Sequence, residues 1–154
     1  MLGAAFAGWA TGIPDLSAAL VVSLYTAAIT WNAAGEVGGK KPGTAVFAPA
    51  VVLLAASVFM CRPGVAGRPF VLSAVVVLGI GSAEALWTAL HVFKGKMAMP
   101  VFIGRLLRVM ITLQAALVLW GMAGAGWEAR GAVIGGFGIL RLGSDITGHW
   151  FYGS

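Results

Sequence analysis

PVFIGRLLRVMITLQAALVLWGMA, from Pro100 to Ala123, is long and apolar enough to cross a bilayer, yet its first two-thirds carry Arg105, Arg108 and Gln114. A charge placed in hydrocarbon costs several kcal/mol unless it meets a partner or water, so such groups face a protein interior or a cavity. Proline at the start suits a first helical turn, and the three-residue spacing of the arginines places both on one side of the helix. The remaining helices are therefore expected to gather around that side.

Composition agrees. Of 154 residues 60% are hydrophobic and only 10% charged, where soluble domains carry about 25% charged residues. The fold class expected is an all-α polytopic membrane protein, about five transmembrane helices in one bundle forming a single domain. The 23 glycines fit helices that approach closely. A net charge of +5 comes from ten basic residues standing singly or in pairs between apolar segments. That placement sets orientation and meets lipid headgroups, and does not point to nucleic acid. The single cysteine, Cys61, has no partner for an internal disulfide and belongs to no Cys-rich metal motif.

Outward from the central stretch, helices are expected over about 15–34, 44–61, 70–93, 100–123 and 132–150. Residues 1–14 are too few for another span and carry no basic residue ahead of their apolar part, unlike a signal peptide. They are expected to lie along the interface, with Trp9 as anchor. Pro49 predicts a kink or a short span in the second helix. Lys40, Lys41, Lys94 and Lys96 outnumber Arg62, Arg68 and Arg130 on the other side. The bias favours an external N-terminus and a cytoplasmic C-terminus.

An α-helix rises about 1.5 Å per residue, so depths can be compared across segments. Arg108, Glu84 and Arg141 fall at roughly 12 to 14 Å from one face, and Arg105 and Asp145 at roughly 7 to 8 Å. Arg141 and Asp145 also form an i,i+4 pair, and Glu84, Thr88 and His91 share a helix face. One reading is that these charges neutralise one another and lock three helices together. The other is that spare positive charge holds an anion such as a lipid headgroup, a diphosphate or a partner's carboxylate. On the second reading, Arg108→Ala releases lipid or partner more than Arg130→Ala does. A proton or ion path is a third reading. His91 and His149 are candidate ligands for haem or a chlorophyll magnesium, but serve more often as interfacial hydrogen-bonders.

Close-packing faces are offered by Gly81 with Ala85 and Ala89, by Gly131-x-x-x-Gly135 and by Gly8-x-x-x-Gly12. Six tryptophans, mostly near expected helix ends, fit an interfacial belt. No nucleophilic triad, metal-spaced Cys/His cluster or P-loop is present in the sequence.

Three stretches carry a resemblance: LYTAAITWNAAGE (24–36), RLLRVMITLQAAL (105–117) and the terminal HWFYGS (149–154). Together they resemble the C-terminal half of UbiA-type polyprenyltransferases, membrane enzymes that attach prenyl chains to aromatic or tetrapyrrole acceptors. The likeness covers most of this chain but only about half of such an enzyme. It implies an all-helical bundle with a polar cavity opening to the cytoplasm, and basic cavity residues at Arg105 and Arg108. Family activity rests on two Asp-rich motifs that hold magnesium and the prenyl diphosphate. The first belongs to the missing half; where the second should fall, this chain has Asn32 and Glu36 without Asp-x-x-x-Asp.

The function expected is therefore a non-catalytic accessory subunit, in a bacterial inner or photosynthetic membrane, within a photosynthetic or respiratory complex. It would stabilise neighbouring integral membrane subunits, carry no cofactor of its own, and bind lipid, quinone, (bacterio)chlorophyll or carotenoid at its surface. The alternatives are half of a split prenyltransferase, completed by a partner chain, and a small transporter.

Overall fold

The computed structural model describes the backbone of residues 16–37, 43–61, 69–122 and 126–152, with side chains over 17–35, 43–61, 71–122 and 126–146. Five α-helices account for nearly all of it: α1 (Leu16–Val37), α2 (Ala48–Met60), α3 (Pro69–Phe93), α4 (Met99–Gly121) and α5 (Trp127–Tyr152). A short 3-10 helix, Thr44–Phe47, leads into α2. No strand occurs among the described residues, and the all-α expectation holds. Three segments, Ser17–Gly35, Val71–Phe93 and Met99–Gly121, are long and apolar enough to cross a membrane. The interfacial segment 1–14, Lys40, Lys41, Arg62, Arg68 and the Gly8/Gly12 pair lie outside the described residues, as do the side chains of Glu36, His149 and Trp150.

α1, α2 and α4 each bury a stripe at three- and four-residue spacing, the pattern of a helix with one face inward. Ala18, Val22, Tyr25 and Ile29 form it on α1, and Leu53, Ala56 and Met60 on α2. Phe102, Leu106, Val109, Leu113 and Ala116 form it on α4. Leu20, Leu24, Val51, Val58, Leu72, Val76 and Ile80 point outward. An apolar outer surface of this kind fits hydrocarbon surroundings, since lipid removes the penalty that water would impose.

Pro49 does not kink a span. It sits in the first turn of α2, where its missing N–H would have had no helical partner anyway, and the residues before it wind as the 3-10 helix. The 13 residues of α2 rise only about 20 Å, short of a bilayer's apolar core of about 30 Å. The last helix also departs from expectation, starting at Trp127 rather than 132. Glu128 in its first turn faces the positive end of the helix dipole, which offsets the cost of winding Gly131 into the helix interior.

Between α3 and α4 the chain reverses over residues 94–98. The Gly95 N–H donates to the Val92 carbonyl at 2.9 Å and the Lys96 N–H to the His91 carbonyl at 2.8 Å, the two bonds of a Schellman cap. Gly95 takes φ +68°, the left-handed conformation that a side chain penalises. Gly95→Ala should therefore cost about 1–2 kcal/mol, read as a lower denaturant midpoint in detergent micelles. An unchanged midpoint would show that the turn tolerates another cap.

Candidate functional site

α4 lies between α1, α3 and α5, and polar side chains mark each of those contacts. Toward α1, the buried Tyr25 hydroxyl donates to the Leu106 carbonyl at 2.8 Å. Such a bond typically contributes about 1 kcal/mol net. Asn32, also buried, donates through Nδ2 to the Ala28 carbonyl at 2.8 Å and the Ala45 carbonyl at 3.1 Å. It ties the end of α1 to the 3-10 helix, a structural use of the position where the enzyme resemblance would want an aspartate.

Contacts Gly81–Thr112 and Trp87–Arg105 run in opposite chain directions, so α3 and α4 are antiparallel. Arg108–Asp145 and Thr112–Arg141 show the same for α4 and α5. That register decides which charges meet. Arg141 of α5 reaches between its neighbours, with Nη2 donating to Glu84 Oε2 on α3 and Nη1 to Thr112 Oγ1 on α4 at 2.7 Å. Three helices thus converge on one guanidinium, whose flat, forked donor set can serve two acceptors at once. Further toward the 94–98 turn, Arg108 Nη1 donates to Asp145 Oδ1 at 2.9 Å.

The five charges singled out from sequence therefore divide three ways. Glu84 and Arg141 meet within one depth level, as the depth comparison allows. Arg108 instead pairs across levels with Asp145, because the long arginine side chain spans a helical turn and the antiparallel register sets α5 opposite it. Arg141 and Asp145 do not bond to each other; each leaves α5 for a different helix. Arg105 pairs with no carboxylate among the described residues. Its guanidinium lies 5.2 Å from the ring centre of Trp87, close enough for cation–π attraction. Trp87 in turn stacks on His91 at 3.9 Å, and His91 Nδ1 is held at 2.8 Å from the Trp87 carbonyl.

The glycine faces also divide. A Cβ on Gly81 would sit 3.3 Å from Thr112 Cγ2 and 3.4 Å from Val109 Cγ1, and Ala85 and Ala89 on the same face are buried. Gly131 and Gly135 are exposed, with nothing within 4 Å of a Cβ at either. The expected helix packing there is not made among the described residues, because α5 turns the adjoining edge, bearing Arg141 and Asp145, toward α4. Residues overlooked in the sequence were Tyr25 and Thr112. A hydroxyl within an apolar helical stripe is ambiguous, since Ser and Thr also bond back to their own helix, as Thr26, Ser57, Ser82 and Thr88 do.

Beside the Arg141 junction is a cleft of about 360 Å³. Ile80, Ile111, Ile134 and Phe137 contribute apolar walls, and Glu84, Thr112 and Arg141 the polar end. Among the described residues, no three His, Cys, Asp or Glu side chains group closely enough to hold a metal ion.

Among the described residues, fold and site together define an all-α protein with three helices long and apolar enough to cross a membrane and two inter-helix ion pairs. Comparison with known protein families, with curated proteins and with solved structures finds no match to this chain. The likeness to UbiA-type enzymes accordingly rests on its three sequence motifs alone.

Proposed function

We propose that this chain is a non-catalytic accessory subunit of a larger membrane complex, photosynthetic or respiratory, that stabilises neighbouring subunits. It has no cofactor of its own in this reading, and lipid, quinone or pigment binds along its surface. The observation that carries the proposal is an exposed glycine ridge on α5, adjoining the edge that bears Asp145. Gly131, Gly135, Gly138 and Leu142 recur at four- and three-residue spacing and are all exposed. Among the described residues, no atom beyond the helix itself lies within 4 Å of where a Cβ would stand on the three glycines. Small-residue ridges let two membrane helices approach closely, and no described residue packs on this one. Ile139, Leu140 and Ile146 add large exposed apolar side chains to the same helix. The carboxylates Glu84 and Asp145 are both engaged by arginines, which supports a structural rather than a catalytic use. The photosynthetic or respiratory setting follows the UbiA resemblance, since enzymes of that type make quinones and chlorophyll tails.

Tagged protein extracted gently from its native membrane should carry other integral subunits, identified by intact mass spectrometry. Gly135→Leu should lower that co-purification about tenfold, equivalent to about 1.4 kcal/mol of contact, while leaving the isolated chain's stability unchanged. Isolation of the chain alone, in wild type and variant equally, would contradict the subunit reading.

A second reading, half of a split UbiA-type prenyltransferase, is favoured by the cleft, whose apolar walls and polar end suit an isoprenoid. It requires that the co-purifying partner carry a membrane-embedded Asp-x-x-x-Asp motif.

A further inference from the structure

Among the described residues, the side of the bundle bearing the 94–98 turn has more positive charge than its acids neutralise. Lys94, Lys96, Arg105 and Arg108 lie there, and among the described residues only Arg108 is paired with a carboxylate. Lys94 and Lys96 are exposed, while Arg105 is partly buried. Arg105 makes no hydrogen bond to any described residue, and its guanidinium carbon lies 5.2 Å from the centre of the Trp87 ring. A cation–π contact of this kind does not use all five guanidinium N–H donors, so others are available for acceptors. Trp87 is itself held by stacking on His91, so the guanidinium rests on a supported platform.

Depth gives the second constraint. Arg105 stands six residues from the start of α4 at Met99, and Trp87 six from the end of α3 at Phe93. Both lie about 9 Å inside the helix ends, near the boundary of headgroups and acyl chains. A guanidinium at that depth with no carboxylate partner among the described residues suits an anion carried by the membrane itself.

We propose that the Arg105–Trp87 stack, with Lys94 and Lys96 on the adjoining turn, binds the phosphodiester headgroup of an anionic phospholipid. The guanidinium edge donates to the phosphate oxygens, the indole lies against the glycerol region, and the lysines add longer-range attraction. This moves the anion site away from Arg108, which Asp145 occupies. The inference needs only that the chain is membrane-embedded, and its test uses the isolated full-length protein, so the subunit reading can fail without it.

The chain is reconstituted in nanodiscs of equal phosphatidylglycerol and phosphatidylcholine, extracted in mild detergent, and its retained lipids counted by intact mass. Wild type should retain phosphatidylglycerol preferentially. Arg105→Gln should reduce that retention about fivefold, the worth of one basic residue at an anionic surface. Trp87→Leu, which keeps the charge, should reduce it in the same direction, and serves if the arginine variant fails to fold. Arg130→Gln removes a charge near the start of α5, at the opposite end of the bundle, and should change nothing. Undiminished retention in Arg105→Gln and Trp87→Leu, or equal loss in Arg130→Gln, overturns the proposal. Displacement of the lipid by millimolar inorganic phosphate would identify a soluble phosphate site instead and also overturn it.

Discussion

Arg141→Ala is expected to destabilise the protein by about 2–3 kcal/mol in detergent or bilayer, the largest loss from any single charge removal here. The substitution deletes two bonds and strands Glu84, whose only ion-pair partner among the described residues is Arg141. Losing one member of a fully buried pair costs about 3–5 kcal/mol. Here the two side chains are 24% and 27% exposed, so the lower figure applies wherever that surface meets water. Arg108→Ala should cost less, because Asp145 is 45% exposed and more easily hydrated once left alone. The decisive comparison is the double variant Glu84→Leu/Arg141→Leu. Replacing both charges with apolar groups removes the stranded acid and should recover most of the stability. Unfolding followed by helical circular dichroism against increasing denaturing detergent measures all of these. An Arg141→Ala midpoint equal to wild type would mean that the three-helix junction does not hold the bundle.

Much of that junction can be read in the sequence because depth along a helix is fixed by residue count. Counting inward from the helix ends brought Glu84 and Arg141 to one level without knowledge of the fold. Counting cannot tell which helices are neighbours or how they turn about their axes. Arg105 and Arg108 lie three residues apart, about 60° from each other around α4. That angle separates a side chain reaching Trp87 on α3 from one reaching Asp145 on α5. The same rotational blindness explains the glycines. Gly81 and Gly131 look alike in a sequence, but one is pressed against Thr112 and the other faces outward. Pro49 left a kink and a short span both open for a different reason. Proline breaks a helix in its interior and starts one at its edge, and only the winding of Thr44–Phe47 into a 3-10 helix tells which applies.

Gly81→Leu is the second large effect, and it tests whether α3–α4 packing and the charged junction are one structure. At Gly81 even a methyl group would stand 3.3 Å from Thr112 Cγ2, so alanine requires a shift of a few tenths of an ångström. Leucine needs far more room, and overpacking of this kind costs about 1–3 kcal/mol. Thr112 presents its methyl to Gly81 and its hydroxyl to Arg141. Pushing the methyl away therefore pulls the acceptor from the guanidinium, adding about 1 kcal/mol for the lost bond. Gly79→Leu is the internal control, since nothing lies within 4 Å of its Cβ position and a bilayer accepts another outward leucine. The expected order of unfolding midpoints is wild type and Gly79→Leu together, then Gly81→Ala, then Gly81→Leu. Coupling is the sharper measurement. If Thr112 transmits the strain, Gly81→Leu and Arg141→Ala combined should cost less than the sum of the two, because each has already broken the same bond. Strict additivity would place the glycine contact and the arginine junction in separate, independent parts of the bundle.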